Sequence, residues 1–530
     1  MAALTLAPAL SGTAPCLPAV ATLADIIGAR CASQGSRPYL EHARSGRVVS
    51  FGELSWAVEL WTAVLDRAGV APGSTVALSI SDPLDFSIAF LGTIAAGRWV
   101  APLNPAQPAH GAAGLEAAAA RVHAVMVFAD APVPAGVDLD WVHMRAGAFL
   151  GAPSNPAHTR PARRGDAGGA VLASSGTSGP PKVIRLGEDQ LLHTARSVAA
   201  HHRLTPSDRG FCPLPLFHIN AEVVGLLASL VAGSCLVLDD RFHRTRFWGV
   251  MAERRVTWIN AVPAIISRLS DARGEDVPPG IRFIRSASAP LAVATAARFE
   301  ATTGIPVVET YGMTEAASQI TTNPVDGGRK LGSVGLPVGV ELRIVADETA
   351  MPEESAPGCP HGTGHVEIRG PSVITAYGGD DHRECIDSDG WLRTGDLGHL
   401  DDDGYLYLDA RADDVINRGG EKVFPREIEE VALLDPDVAA IAVVAALDPE
   451  LGAVPVAFLV VHGIADDTDR PRVSRVTRRV RDHLEVSLVR SKRPASLMVV
   501  RALPAGATGK VARRALRAGD VPVIFRLGCR

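Results

Sequence analysis

The stretch IRFIRSASAPLAVATAARFEATTGIPVVETYGMTEAAS, residues 281–318, decides the fold. IRFIRSAS reads as a strand, LAVATAARFEATTG as a helix, and the next apolar run as a strand ending at Glu309. A strand, a helix and a second strand in that order imply parallel pairing with the helix laid over the sheet. The rhythm repeats upstream, where TVALSIS (75–81) precedes FSIAFLGTIAAG (86–97) and TWINAVP (257–263) precedes AIISRLSDA. Residues 340–410 change character: GVELRIVAD, GHVEIRG and GYLYLDA are short alternating runs with Gly/Asp turns, as in a small antiparallel sheet or barrel. After Arg411 the pattern resets to helix, strand, strand, helix. The expected class is therefore α/β. Residues 1–410 are expected to form a large N-terminal domain of parallel sheets, helices and the small antiparallel sheet, and residues 411–530 a small α+β domain. Residues 1–21 are expected to be poorly ordered, and the Pro/Ala/Arg-rich tract 130–168 to be a surface connection.

A chain of 530 residues is too long for one ordinary core. Its 47% hydrophobic and 21% charged residues fit a globular protein. The net charge of -6 and the lack of a basic stripe argue against nucleic acid as a partner. Seven scattered cysteines, never spaced CxxC, argue against a disulfide framework or a zinc site and fit a reducing cytoplasm. The N-terminus lacks the positive region of a secretory leader. VVGLLASLVAGSCLVL, after Glu222, is shorter than a membrane span and broken by Gly-Ser, so it reads as a buried helix turning into a strand. No membrane partner is expected. Lysine is scarce: Lys182, Lys330, Lys422, Lys492 and Lys510 are the five. Each is a compact point charge where arginine would present a fork.

Four motifs carry chemistry. VLASSGTSGPPKVIRL (171–186) packs Ser174, Ser175, Gly176, Thr177, Ser178 and Gly179 ahead of Lys182. Converging backbone N–H groups, hydroxyls and one lysine suit a phosphate, although this is not the GxxxxGK[ST] loop. VVETYGMTEAAS (307–318) offers the flat face of Tyr311, the Thr314 hydroxyl and the Glu315 carboxylate; these suit a purine, a phosphate and Mg2+ respectively. Read alone, Tyr311 is equally a core residue and Glu315 a helix-terminal charge. Asp396, between Gly395 and Leu397, can bond both hydroxyls of a ribose, and Gly419 and Gly420 in NRGGEK allow close approach to the backbone. ATGKVARRAL sets Lys510 before a basic helix, where the dipole disfavours a cation unless a ligand is met.

In this order the four motifs resemble the adenylate-forming superfamily of acyl-CoA synthetases, luciferases and peptide-synthetase adenylation domains, from about residue 22 to 517. Lys182, Lys422, Lys492 and Lys510 fall on its motif positions. The resemblance implies that the 174–179 loop and Lys182 grip the ATP β- and γ-phosphates, and that Tyr311 stacks on adenine. SASAP, with Ser288, Ala289 and Pro290, lines the same pocket beside Glu309, Thr310, Gly312 and Met313. It also implies that Thr314 contacts the α-phosphate, Glu315 holds Mg2+, Asp396 binds ribose and Arg411 reaches the nucleotide from just past the hinge. Lys510 would swing in to bridge the carboxylate and the α-phosphate, with Gly419 and Gly420 along the thiol tunnel. His218, in PLPLFHINAEVVG (213–225), replaces the Asp that amino-acid-activating members use, and joins the catalytic set. His218, Asn220, Ser286 and Ser318 are pocket candidates for a small or polar acid, with Arg285 adjacent. The wording is closest to short-acid, oxalate-type acyl-CoA ligases, so the expected function is an ATP-dependent acid–CoA ligase. The alternatives are transfer to a carrier-protein phosphopantetheine or an amine, activation of another oxyanion such as nitrite, or a non-catalytic nucleotide-binding homologue. The chain departs from the family at Val183, usually Gly; at SASAP, usually Gly-rich; at Ala410; and at Ala412 and Asp413, where basic residues are common.

Overall fold

The computed structural model describes residues 21–105, 111–131, 140–145, 147, 149, 168–174, 182–270, 277–346, 362–378, 385–464, 469–504 and 511–529. The deciding stretch folds as strand Phe283–Ser286, helix Val293–Thr303 and strand Val307–Tyr311. The two strands pair in parallel with Ser286 opposite Glu309. The helix buries Ala296 and Phe299, three residues apart on one face, and stops at Gly304, which takes a left-handed φ of 71°.

Neighbouring strands Trp258–Ala261, Arg209–Cys212, Cys235–Leu238 and Pro38–His42 extend this parallel sheet. Short antiparallel strands close its edges, Thr321–Thr322 with Leu336–Pro337 at one side and Val48–Ser50 at the other. A second sheet runs Trp141–His143, Ala124–Ala129, Thr75–Ser79, Trp99–Pro102 and Gly169–Ser174 in parallel, ending on antiparallel Lys182–Gly187. The tract expected as a connection thus contributes a strand; Trp141–His143 pairs through apolar Val142 and neighbours that side with Ala124–Ala129. Helix Pro83–Ala95 is buried along its whole length; most of its residues are apolar, and the Ser87 and Thr93 hydroxyls donate to the Pro83 and Ala89 carbonyls. Asp82 caps it by accepting from the Leu84 and Asp85 amides, and Pro83 opens its first turn.

Residues Glu341–Ala346, Gly364–Arg369, Leu392–Leu400 and Leu406–Arg411 form a four-stranded antiparallel sheet, open rather than closed into a barrel. The C-terminal part follows the expected order: helix Pro425–Ala432, strands Val438–Asp448 and Gly452–Val461, helix Arg470–Ser487. One cluster of buried apolar side chains runs from Ala21 to Leu406 and another from Ile416 to Val499. The Arg426 guanidinium joins the two parts by donating to the Leu408 carbonyl at 2.7 Å. Of the N-terminal stretch expected to be poorly ordered, residues 1–20 lie outside the described residues. Ala21 is buried, and its carbonyl accepts from Arg196 at 2.8 Å. The run around Glu222 is helical and leads into strand Cys235–Leu238, but its first part, Asn220–Leu227, is a π-helix. Among the described residues no helix is long and apolar enough to cross a membrane, and the described cysteines are all free.

Candidate active site

The parallel strands of the first sheet end at Ala261, Ser286 and Tyr311, and Ser288, Thr314 and Glu315 follow just beyond these carboxyl ends. Open α/β sheets bind ligands there. After Tyr311 the chain reverses tightly: a Cβ on Gly312 would sit 1.5 Å from the Ser318 carbonyl oxygen. Ala317 and Ser318 hold positive φ of 49° and 95°, a cost that tends to be retained at functional sites. The reversal places Thr314–Ala316 in one 3-10 turn, with Thr314 and Met313 half-buried and Glu315 buried.

Two linked clusters form around this turn. In the first, the Tyr311 hydroxyl donates to Asp396. Arg411 donates to the other Asp396 oxygen at 3.2 Å and to the Thr394 carbonyl at 3.3 Å. Asp396 and Arg411 sit opposite each other on paired strands, which aims both side chains the same way. Burial first, and the Asp396 charge second, push the Tyr311 phenol well above the usual tyrosine range. The phenol is therefore a fixed donor to Asp396, and its ring, 9% exposed, belongs to the core as well as to the site.

In the second cluster the Tyr377 hydroxyl donates to Glu315 at 3.2 Å, while the Lys182 ammonium lies 4.6 Å from the Tyr377 ring centre. The backbone holds this arrangement, because Gly378 donates to the Val183 carbonyl at 2.9 Å and Ile374 to the Glu315 carbonyl at 2.9 Å. Tyr377 was not foreseen from sequence. The available signal was its rarity, since the chain has five tyrosines. Ser174 pairs with Lys182 across a hairpin, whereas Ser175–Gly179 and Lys510 lie outside the described residues.

Glu309 is 7% exposed, and its Oε1 has no hydrogen-bond partner. Burial pushes its carboxyl up to about 7, with Arg426 pulling down and Glu430 pushing up. Thr310 donates its hydroxyl to the Ser286 carbonyl at 3.0 Å, tying the two strand ends together. Ser288, exposed with Ala289 and Pro290, holds a φ of 73°. Gly419 and Gly420 form the turn between strands Ile416–Arg418 and Glu421–Val423, with φ of 61° and 95°. No hydrogen bond joins this hairpin turn to the Tyr311 cluster among the described residues.

The pocket candidates meet at the start of the π-helix. The Asn220 amide donates to the Ser288 hydroxyl at 3.3 Å, and its oxygen accepts from Arg285 at 3.0 Å and from Asn260 at 3.1 Å. His218 is half-buried, its ring centre 4.4 Å from that of Phe217. Ser286, next to Arg285 in its strand, and Ser318, at the end of the reversal, are both buried. Arg285, adjacent in the sequence reading, is at the centre of this network.

Comparison with known proteins agrees with the geometry. The model for AMP-binding enzymes matches residues 28–378, and the model for the AMP-binding enzyme C-terminal domain matches residues 427–510. The chain is 35% identical over 509 residues to a sulfoacetate–CoA ligase of Cupriavidus necator, covering 93% of this chain and 96% of that one. It is 36% identical over 409 residues to an oxalate–CoA ligase of Arabidopsis thaliana, covering 71% and 76%. Among solved structures, ATP-bound MatB from Rhodopseudomonas palustris superposes with a TM-score of 0.80 at 26% identity, covering 94% of this chain and 98% of that one. The o-succinylbenzoate CoA synthetase of Bacillus subtilis, in complex with its acyl-adenylate intermediate, gives 0.77 at 26% identity, covering 93% and 97%. With both models matched and the motif residues gathered at the strand ends, the chain belongs to the AMP-binding enzymes, the adenylate-forming ligases.

Proposed function

We propose that this acid–CoA ligase, which uses ATP, Mg2+ and CoA, activates a small acid at the site around Tyr311 and Asn220, with residue roles as follows. The observation that carries the reading is the convergence of Tyr311, Asp396 and Arg411 with Glu315, Tyr377 and Lys182 beyond the parallel strand ends. Asp396, held by Tyr311 and Arg411, presents a fixed carboxylate to the ribose hydroxyls. Thr314 stands on the turn between the clusters, within the reach the α-phosphate requires. Lys182 leaves the Tyr377 ring for the terminal phosphates.

Glu315 fits a hard cation: it is a buried carboxylate whose side-chain partner among the described residues is a neutral phenol. Mg2+ held there supplies neutralisation of phosphate charge. The acid carboxylate attacks the α-phosphorus, and pyrophosphate leaves. The CoA thiol, losing its proton, then attacks the acyl carbonyl, and AMP leaves. Lys510 bridges the first pair of anions, a point charge that lowers the barrier only when both are seated. We place the domain boundary at residues 410–411, at the end of strand Leu406–Arg411, so that Lys510 travels with the small domain and Gly419 and Gly420 border the thiol path.

Sulfoacetate–CoA and oxalate–CoA ligases are the relatives reported above, and by this kinship the substrate here is a small acid passed to CoA rather than to a carrier protein or an amine. Mass spectrometry of the purified protein with ATP, Mg2+ and pooled small acids, with and without CoA, tests this directly. The expected products are AMP and one acyl-CoA; AMP without a thioester would move the acceptor to another thiol or amine. Lys510→Ala is expected to abolish adenylate formation, by about a thousandfold or more, while a preformed acyl-adenylate still reacts with CoA. Adenylation persisting in that variant would remove Lys510 from its role.

A further inference from the structure

Arg285 stands on strand Phe283–Ser286 and is 1% exposed. Among the described residues no carboxylate pairs with it. Its Nη1 donates to the Asn220 and Asn260 carbonyl oxygens at 3.0 and 3.2 Å, and its Nη2 to that of Gln319 at 3.3 Å. Among the described residues its Nε has no acceptor, and neither has the Gln319 amide nitrogen. A buried cation is normally matched by an anion, because desolvation otherwise costs several kcal/mol. Here it meets neutral amide oxygens, with two donors left over. The imidazoles nearby add no compensation: burial first, and Arg285 second, pull His201 down to about 4, and His202 is likewise lowered by burial foremost.

The network points outward through one residue. Two donors, Arg285 and Asn260, both meet the Asn220 oxygen, so the amide orientation is fixed: arginine has donors only. Asn220 must then turn its NH2 toward Ser288 on the exposed turn. Asn220 also begins the π-helix, a rare geometry that clusters at functional sites. Ser288 holds a strained φ, and the buried Ser286 hydroxyl, next to Arg285 in the strand, has no partner among the described residues.

We propose that Asn220 and Ser288, backed by Arg285 with Asn260 and Gln319, form a subsite for a second anionic group on the acid, a carboxylate or sulfonate other than the carboxylate that is adenylated. The proposal rests on the reading of the site as that of an acid–CoA ligase. Asn220 and Ser288 touch the anion. Arg285 is a positioning residue: it orients the Asn220 amide and supplies the compensating charge through it. No bond is made or broken at the second anion, which selects the substrate by meeting a charge already in place.

The test compares kcat/KM for dianionic probes (oxalate, malonate, sulfoacetate) with that for acetate and propionate, in the wild type, Arg285→Met and Asn220→Asp. Asn220→Asp keeps a polar partner on Arg285 and guards against loss of fold in the methionine variant. The wild type is expected to favour the dianions, and both variants to lower the dianion-to-monoanion ratio by about 10- to 100-fold, mostly through KM. A residue that only supports the fold would depress both classes together and leave the ratio unchanged, and that outcome would overturn the subsite. Wild-type acyl-CoA formation without preference for dianions would overturn it as well, leaving the ligase reading intact. If no acid of either class yields AMP, the ligase reading fails and the subsite with it.

Discussion

Around Tyr311 the charges close on one another: Asp396 takes the phenol and Arg411, and Glu315 takes the Tyr377 hydroxyl while Lys182 rests on the ring. Around Arg285 they do not close, and the guanidinium faces amide oxygens with donors to spare. Both regions lie at the ends of the same parallel strands, so the difference does not come from position in the fold. It comes from what each must meet. On the proposed reading, the nucleotide's phosphates are met by groups that exchange internal partners for ligand atoms. On the proposed reading, the acid corner instead waits for a charge that the protein itself does not provide.

The comparison is tested most severely at Asp396. Asp396→Ala leaves Arg411 and the Tyr311 phenol without their shared partner, and ATP affinity by calorimetric titration is expected to fall by about 100-fold. Unchanged affinity would reject the ribose role and with it the self-paired description of this corner. Tyr377 gives a smaller effect with finer detail. Tyr377→Phe removes the hydroxyl from Glu315 but keeps the ring beneath Lys182, with an expected loss of about 10-fold in kcat/KM for ATP. Tyr377→Leu removes both contacts and should lose more. Equal losses in the two variants would show that the ring contact does nothing.

Glu309 gives the smallest effect, and one of stability rather than turnover. Its carboxyl titrates near 7 in the fold against an ordinary value of 4.5, with burial the first cause and Arg426 and Glu430 facing it. A raised folded-state value stabilises fully below the unfolded value, and that contribution is lost as pH rises through 7. Glu309→Gln, always neutral, is therefore expected to raise Tm by about 3 °C at pH 8, with the gain fading toward pH 4.5. A gain that does not change with pH would mean that Glu309 is ionised throughout.

The corner proposed for the nucleotide was the easier to single out because Tyr311, Thr314 and Glu315 are neighbours in one loop, so their chemistry shows in a single window. Even there the Tyr311–Asp396 bond was not foreseen, since it joins residues 85 apart. The acid corner was legible only in part. His218, Asn220, Ser286 and Ser318 were singled out by polarity. The ring around Arg285, however, is assembled from positions 220, 260, 285 and 319 by strand register, Asn260 lying directly opposite Arg285, and no linear spacing encodes that. Among the described lysines, Lys182 lies over the Tyr377 ring at the proposed site, and Lys492, although on a motif position, bonds Glu427 at 2.9 Å. Lys330, the lysine away from any motif, bridges Asp401 and Asp403 at 2.6 Å each. Gly419 and Gly420 were read as allowing close approach, and their positive φ in a hairpin turn explains the glycines on backbone grounds alone.

On the proposed reading of Asn220, the π-helix at Asn220–Leu227 makes substrate choice a matter of chain length as well as side-chain identity. A π segment carries more residues per turn than the α-helix Ala228–Ala232 that it joins. Deleting one residue from it would let the turn relax to α geometry and change the direction in which the residues before the deletion project. Asn220 would swing off Arg285 while each amino acid of the acid corner stayed the same. Relatives that differ here by a single insertion or deletion would therefore differ in the acids they accept, even where every polar residue aligns.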